Sequence, residues 1–190
     1  MLYLVGGASR SGKTWLARTL LERQRIAYFP VDALMMGFVN GFKEYGLDPE
    51  TSGIVRGEKL WPILRAVAVN LIEEQHYHPD YLLEGDELLP KHAADLVGAH
   101  PGEVRACFLG YTRVIPSEKL QAVRRFEPDW AKFYNDDGIV LSFLEGQAEF
   151  SRYLQQECTA HGFPYFDGTD DFDGAVEAAC RFLLTGKHER

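Results

Sequence analysis

Eight residues near the start of the chain form a unit that can do chemistry. Gly7-Ala8-Ser9-Arg10-Ser11-Gly12-Lys13-Thr14 fits the phosphate-binding pattern G-x-x-x-x-G-K-[ST]. Glycines let the backbone curl round a polyphosphate and aim successive N–H groups inward. The lysine can then reach the β- and γ-phosphates, and the threonine hydroxyl can ligate Mg²⁺. Such a loop needs a strand before it and a helix after it. Leu2-Tyr3-Leu4-Val5 reads as that strand, and Trp15 to about Arg23 as a helix that begins inside the motif.

Further candidates follow other apolar runs. Ile26-Ala27-Tyr28-Phe29 and Val31 form a second strand closed by Asp32, and Pro30 within it argues for an edge position. Asp32 can accept a proton from a substrate hydroxyl or orient it, or it can cap the helix predicted over Ala33–Phe38. Glu84 and Asp86 follow a third strand, Tyr81-Leu82-Leu83, where an acidic residue would hold Mg²⁺ or polarise the nucleophile. Asp86-Glu87 can also be read as the acidic pair of a mechanical ATPase. Arg10, Arg56, Arg113, Arg124 and Arg125 are the basic candidates for charge developing on a transferred phosphoryl group. One of Arg124 and Arg125 is expected to act on phosphate, and the sequence does not choose between them. Arg56 and Lys43 are candidates for binding a substrate anion.

The elements that position these residues alternate. Glu58 to about Gln75 carries apolar residues at three- and four-residue spacing, with Trp61 and Pro62 expected in its first turns. Helices are predicted over Pro90–Val97, Pro116–Phe126, Ile139–His161 and Phe172–Leu184, and strands over Val104–Leu109 and Phe163–Phe166. Strands alternating with helices give an α/β class with a parallel sheet. In such sheets ligands bind beyond the carboxyl ends of the strands. That gathers the glycine loop, Asp32, Glu84–Glu87, Arg113 and Asp167–Asp171 at one edge.

Composition narrows the function classes. With 190 residues the chain is expected to form one domain, residues 1–190, and its formal charge of −8 argues against nucleic acid or an anionic membrane as partner. No run approaches the length of a membrane span. Cys107, Cys158 and Cys180 lack ligand spacing and are expected as reduced thiols in the cytoplasm. His76-Tyr77-His78 has no matched third ligand and reads as surface histidines. Asp95-Leu96-Val97-Gly98 and Asp171-Phe172-Asp173-Gly174 match D-x-x-G, but both are misplaced relative to the strands and no N-K-x-D motif accompanies them.

The glycine loop with its flanking strand, followed by Phe29-Pro30-Val31-Asp32-Ala33-Leu34, resembles small P-loop kinases of the adenylate kinase, gluconate kinase and chloramphenicol phosphotransferase type. Leu83-Glu84-Gly85-Asp86-Glu87-Leu88-Leu89-Pro90 is similar to the segment after strand three in 2-phosphoglycerate kinase-like proteins. Phe166-Asp167-Gly168-Thr169-Asp170-Asp171-Phe172 resembles the stretch lining the adenine pocket in this group, which implies nucleotide contacts at Gly168 and Thr169. The resemblance implies a three-layer fold with a five-stranded sheet in the order 2-3-1-4-5, and ATP with Mg²⁺. It also implies a substrate-binding insert at about 33–57 and a lid at about 127–138. One departure is plain: residues 127–138 offer only Lys132 where an adenylate kinase lid carries spaced arginines. The reading is an ATP-dependent phosphotransferase for a small hydroxyl- or phosphate-bearing acceptor, with an ATP-binding regulatory protein of slow ATPase activity as the alternative. The acceptor and the oligomeric state stay open.

Overall fold

The computed structural model describes residues 1–74, 80–113, 115–126 and 136–187. Its strands are β1 (Leu2–Gly7), β2 (Ala27–Pro30), β3 (Tyr81–Gly85), β4 (Val104–Gly110) and β5 (Tyr165–Asp167). Its helices are α1 (Lys13–Gln24), α2 (Val31–Gly41), α3 (Gly53–Glu73), α4 (Pro90–Ala99), α5 (Pro116–Phe126), α6 (Asp137–His161) and α7 (Phe172–Thr185), with a short 3₁₀ turn at Lys43–Tyr45. The strands pair in parallel in the order β2-β3-β1-β4-β5, as the resemblance implied.

Alternation along the strands builds the layers. Leu2 and Leu4 of β1 point to one face, with Leu83, Ala106 and Phe108, and are covered by α2, α3, α4 and α6. Tyr3 and Val5 point to the other, with Leu82, Cys107 and Leu109, and are covered by α1 and α7. A strand buried on both faces is apolar along most of its length, which is why Leu2–Val5, Tyr81–Leu83 and Ala106–Leu109 read as apolar runs. Pro30 closes β2 on the sheet edge, where its missing N–H disturbs no second ladder. No helix among the described residues is long and apolar enough to cross a membrane.

Three expectations need correcting, all between β2 and β3. Helix α2 starts at Val31 with Pro30 as its cap, so Asp32 lies inside the first turn and does not cap a helix at Ala33. Helix α3 begins at Gly53, five residues before the predicted Glu58, and the Ser52 hydroxyl caps it by accepting from the Val55 N–H. Pro62 therefore sits well inside α3 and not in its first turns. Gly53 and Gly57 look like helix breakers in sequence, yet both are buried on the packed face of α3. A Cβ on Gly57 would stand 2.6 Å from the Glu87 carbonyl oxygen, so glycine is what lets α3 close on the chain after β3. His76-Tyr77-His78 and most of the expected lid, including Lys132, lie outside the described residues.

Candidate active site

The site lies beyond the carboxyl ends of β1, β3, β4 and β5, and its first component is the glycine loop leaving β1. Gly12, with φ of 101°, turns the chain into α1 and lies against α7, where a Cβ would come within 2.9 Å of Phe172. Arg10 holds a left-handed φ of 65°, a conformation that costs a non-glycine residue energy and is found where the backbone must present a ligand. Ser9 is fastened on three sides. Its N–H donates to Gln147 Oε1 at 2.8 Å, its carbonyl accepts from the Tyr111 hydroxyl at 2.8 Å, and its hydroxyl donates to Asp86 at 2.6 Å. Ser11 Oγ is buried with no hydrogen-bond partner among the described residues, a donor left over inside the loop.

Lys13 is only 7% exposed, and its Nζ spans the loop from the Ala8 carbonyl at 2.9 Å to Asp86 Oδ1 at 2.5 Å. Burial alone would lower its pKa, but the carboxylates of Asp86, Glu84 and Asp32 more than offset this and raise it. The lysine is thus a full cation held ready at the loop. Thr14 Oγ1 donates to Glu84 Oε1 at 3.0 Å, which brings the two candidate metal-holding groups together. Burial raises the Glu84 pKa, while Lys13 and the Thr14 hydroxyl oppose the shift. The donor set suits Mg²⁺, which keeps much of its water and takes few protein oxygens. Asp86, the other metal candidate, is committed to Lys13 and Ser9.

On the other side of Asp86 the chemistry turns acidic. Glu87 is 0% exposed, and its Oε1 accepts from Arg56 Nε at 2.9 Å. Arg56 NH1 is spent on the Pro49 carbonyl at 3.1 Å and on the Thr51 carbonyl, and NH2 stands 4.0 Å from Asp86. Glu87 Oε2 accepts from no N–H or hydroxyl among the described residues, and its carboxyl interacts with that of Asp32. Burial, then Asp86 and Asp32, raise the Glu87 pKa. Solvent reaches Asp32, yet the surrounding protein strips part of its hydration and, with Asp86, raises its pKa against Lys13 and Arg56. Four carboxylates (Asp32, Glu84, Asp86 and Glu87) therefore gather round two cations, Lys13 and Arg56. Beneath them, Trp61 of α3 stacks on buried His92 of α4 at 4.3 Å, and His92 Nδ1 accepts from the Leu89 N–H.

The remaining candidates are placed differently. Gly168 N–H donates to the Gly110 carbonyl at 2.8 Å, and Thr169 donates through N–H and hydroxyl to Asp167. Burial would raise the Asp167 pKa, but hydrogen bonds from Thr112 and Thr169 outweigh it and hold the carboxyl below the usual range. This turn lies next to Phe172, and so next to Gly12. Arg113 pairs with Asp170 at the surface. Arg124 pairs with Asp137 at the start of α6, and Arg125 is exposed at the same end of α5. Sequence reasoning missed Glu87 as the partner of Arg56, and it missed Gln147, Tyr111 and Lys119, whose Nζ donates to the Arg10 carbonyl at 3.0 Å. Nothing local marks these residues, because each reaches the site from a distant segment.

No protein-family model and no curated sequence matches the chain. Solved structures do. A gluconokinase from Sinorhizobium meliloti 1021 superposes with a TM-score of 0.57 at 17% identity, over 98% of this chain and 97% of that one. A shikimate kinase from Bacteroides thetaiotaomicron gives 0.54 at 14% identity, over 97% and 96%. A sugar kinase from Janibacter sp. HTCC2649 gives 0.53 at 17% identity, over 96% and 94%. At such identities what is shared is the architecture, and over nearly its whole length this chain has the fold of the small P-loop kinases.

Proposed function

We propose that the protein is an ATP-dependent phosphotransferase acting on a small hydroxyl-bearing acceptor. The observation that carries this reading is the convergence of Lys13, the Thr14–Glu84 pair and Asp32 on one side of the glycine loop. In this reading Lys13 binds the β- and γ-phosphates, and the backbone of residues 7–14 cradles the chain. Thr14 and Glu84, with Asp86 nearby, would hold Mg²⁺, which when bound would supply positive charge to the phosphate oxygens. Asp32 orients the acceptor hydroxyl and takes its proton as the oxygen bonds to the γ-phosphorus and the bond to ADP breaks. Gly168 and Thr169 border the base.

The acceptor side supports a finer statement. Arg56 is already engaged by Glu87 and two carbonyls, and Asp32, Asp86 and Glu87 surround it. An incoming phosphate or carboxylate would meet like charge there, so we infer an uncharged or cationic hydroxyl compound, such as a polyol or amino sugar. Arg124 would have to release Asp137 of α6 to meet the transferring phosphoryl group. The three free, buried cysteines suit a cytoplasmic enzyme.

The test is ADP release from Mg-ATP across sugars matched in carbon frame: neutral, amino, carboxylate and phosphate. At least one neutral or amino member is expected to raise turnover. Asp32→Asn is expected to cut that stimulated rate by about a hundredfold or more, with ATP affinity unchanged. ADP formation indifferent to every acceptor would instead favour a slow ATPase with a regulatory role.

A further inference from the structure

Several cations on the described surface have an acid beside them. Arg23 pairs with Glu177, Arg65 with Asp95, Lys91 with Glu58 and Arg124 with Asp137. Lys119 differs. It projects from the first turns of α5 into the rim of the glycine loop, where Nζ donates to the Arg10 carbonyl at 3.0 Å. The same ammonium lies 4.5 Å from the centre of the Tyr111 ring and 5.7 Å from that of Phe172. Those two rings are themselves tied to the loop, Tyr111 through its hydroxyl to the Ser9 carbonyl and Phe172 by contact with Gly12.

Among the described residues no carboxylate acts on Lys119; the one charge that does is the Arg10 guanidinium, which repels it. Burial and that guanidinium lower its pKa to about 8. A half-buried ammonium held by one carbonyl and two ring faces is under-neutralised, and it stands beside a backbone built to collect anionic oxygens.

We infer that Lys119 is the cation by which α5 grips the polyphosphate of the bound nucleotide, exchanging the Arg10 carbonyl for a phosphate oxygen. This rests on the nucleotide-binding reading above and adds a residue to it. It also changes which part of α5 matters: the first turns carry the working charge, and the Arg124–Arg125 end faces α6. A charge-assisted hydrogen bond in a partly desolvated site contributes enough to alter affinity about tenfold or more.

The probes are Mg-ATP, Mg-ADP and adenosine, titrated against the full chain by tryptophan fluorescence, since Trp15 is 61% exposed immediately after Thr14. Lys119→Met is expected to weaken Mg-ATP and Mg-ADP about tenfold, to leave adenosine unchanged, and to flatten the dependence of affinity on KCl. Lys119→Arg should bind Mg-ATP within about threefold of the wild type. The nucleotide-free melting temperature should hold or rise in Lys119→Met, because an unneutralised buried charge is removed; if that variant does not fold, Lys119→Gln takes its place. Wild-type affinity for Mg-ATP in Lys119→Met overturns the inference alone, as does an equal loss of adenosine binding. A wild-type protein that binds no Mg-ATP overturns both readings.

Discussion

The two halves of the site are built on opposite plans. The half proposed for the nucleotide is one contiguous stretch, residues 7–14, held by hydrogen bonds that it donates to Asp86 and Gln147 and accepts from Tyr111 and Lys119. The half proposed for the acceptor is assembled from α2, the first turn of α3 and the segment after β3, and its cation is neutralised internally by Glu87. One half presents donors and positive charge to an incoming polyanion, and the other presents carboxylates. On the proposed reading, such a division would let one site draw a polyphosphate to one end and refuse it at the other. The two meet at Asp86, which accepts from Lys13 and Ser9 and lies 4.0 Å from Arg56.

That shared carboxylate gives the largest way to break the contrast. Lys13→Met should lower stimulated turnover by about a thousandfold or more, since the charge on the transferring phosphates loses its fixed cation. It should also cost about 3 kcal/mol of stability, because Asp86 is left buried with one hydroxyl and, at 4.0 Å, the Arg56 guanidinium already engaged by Glu87. Adding Asp86→Asn is expected to recover most of the urea midpoint and none of the turnover. If the double variant stays as unstable as the single one, the ion pair is not what links the halves.

Arg56→Met tests the acceptor half by itself. Glu87 would lose its charged partner in a fully buried position, at about 2–3 kcal/mol, read as a lower urea midpoint. Affinity for Mg-ATP should stay within about twofold, because the loop keeps its own bonds. Glu87→Gln in the same background should restore stability, since a neutral amide tolerates burial without the guanidinium.

The smallest effect concerns the support beneath the acceptor half. Burial holds the His92 pKa at about 4, below the ordinary value of 6.5, with Glu58 opposing. Because the folded value is depressed, the unfolded chain binds the proton first as pH falls, and stability is lost from about pH 6.5 down to about pH 4. Between pH 7.5 and 5 this amounts to about 2 kcal/mol. His92→Phe, which can still stack on Trp61, should remove that component from the urea midpoints at the two pH values.

How much of this was legible in sequence follows the same division. The glycine loop and the five strands could be read because each rests on neighbouring residues or on an apolar run, and the sheet order was implied by the resemblance that the loop and its flanks carry. Pro30 at the sheet edge was equally readable. The start of α3 was not, since Gly53 and Gly57 signal a break locally and serve close packing in three dimensions. Glu87 looked like half of an acidic pair, and only its distance to Arg56, 31 residues earlier in the chain, turns it into a buried counter-ion. Lys119 and Gln147 carry no local mark at all, because they meet the loop across 109 and 138 residues.

Helix α6 holds two of these long-range contacts a turn apart: Gln147 accepts the Ser9 amide proton, and the Ser151 hydroxyl accepts that of Tyr111. Both amides lie outside the backbone ladders of the sheet and helices, so neither can stay shielded from deuterium unless α6 is seated. Their exchange rates in heavy water are consequently a clock for the docking of a single helix. Matching rates at Ser9 and Tyr111, slower than those of the open turns nearby, would time the opening of the site from the protein's own hydrogens.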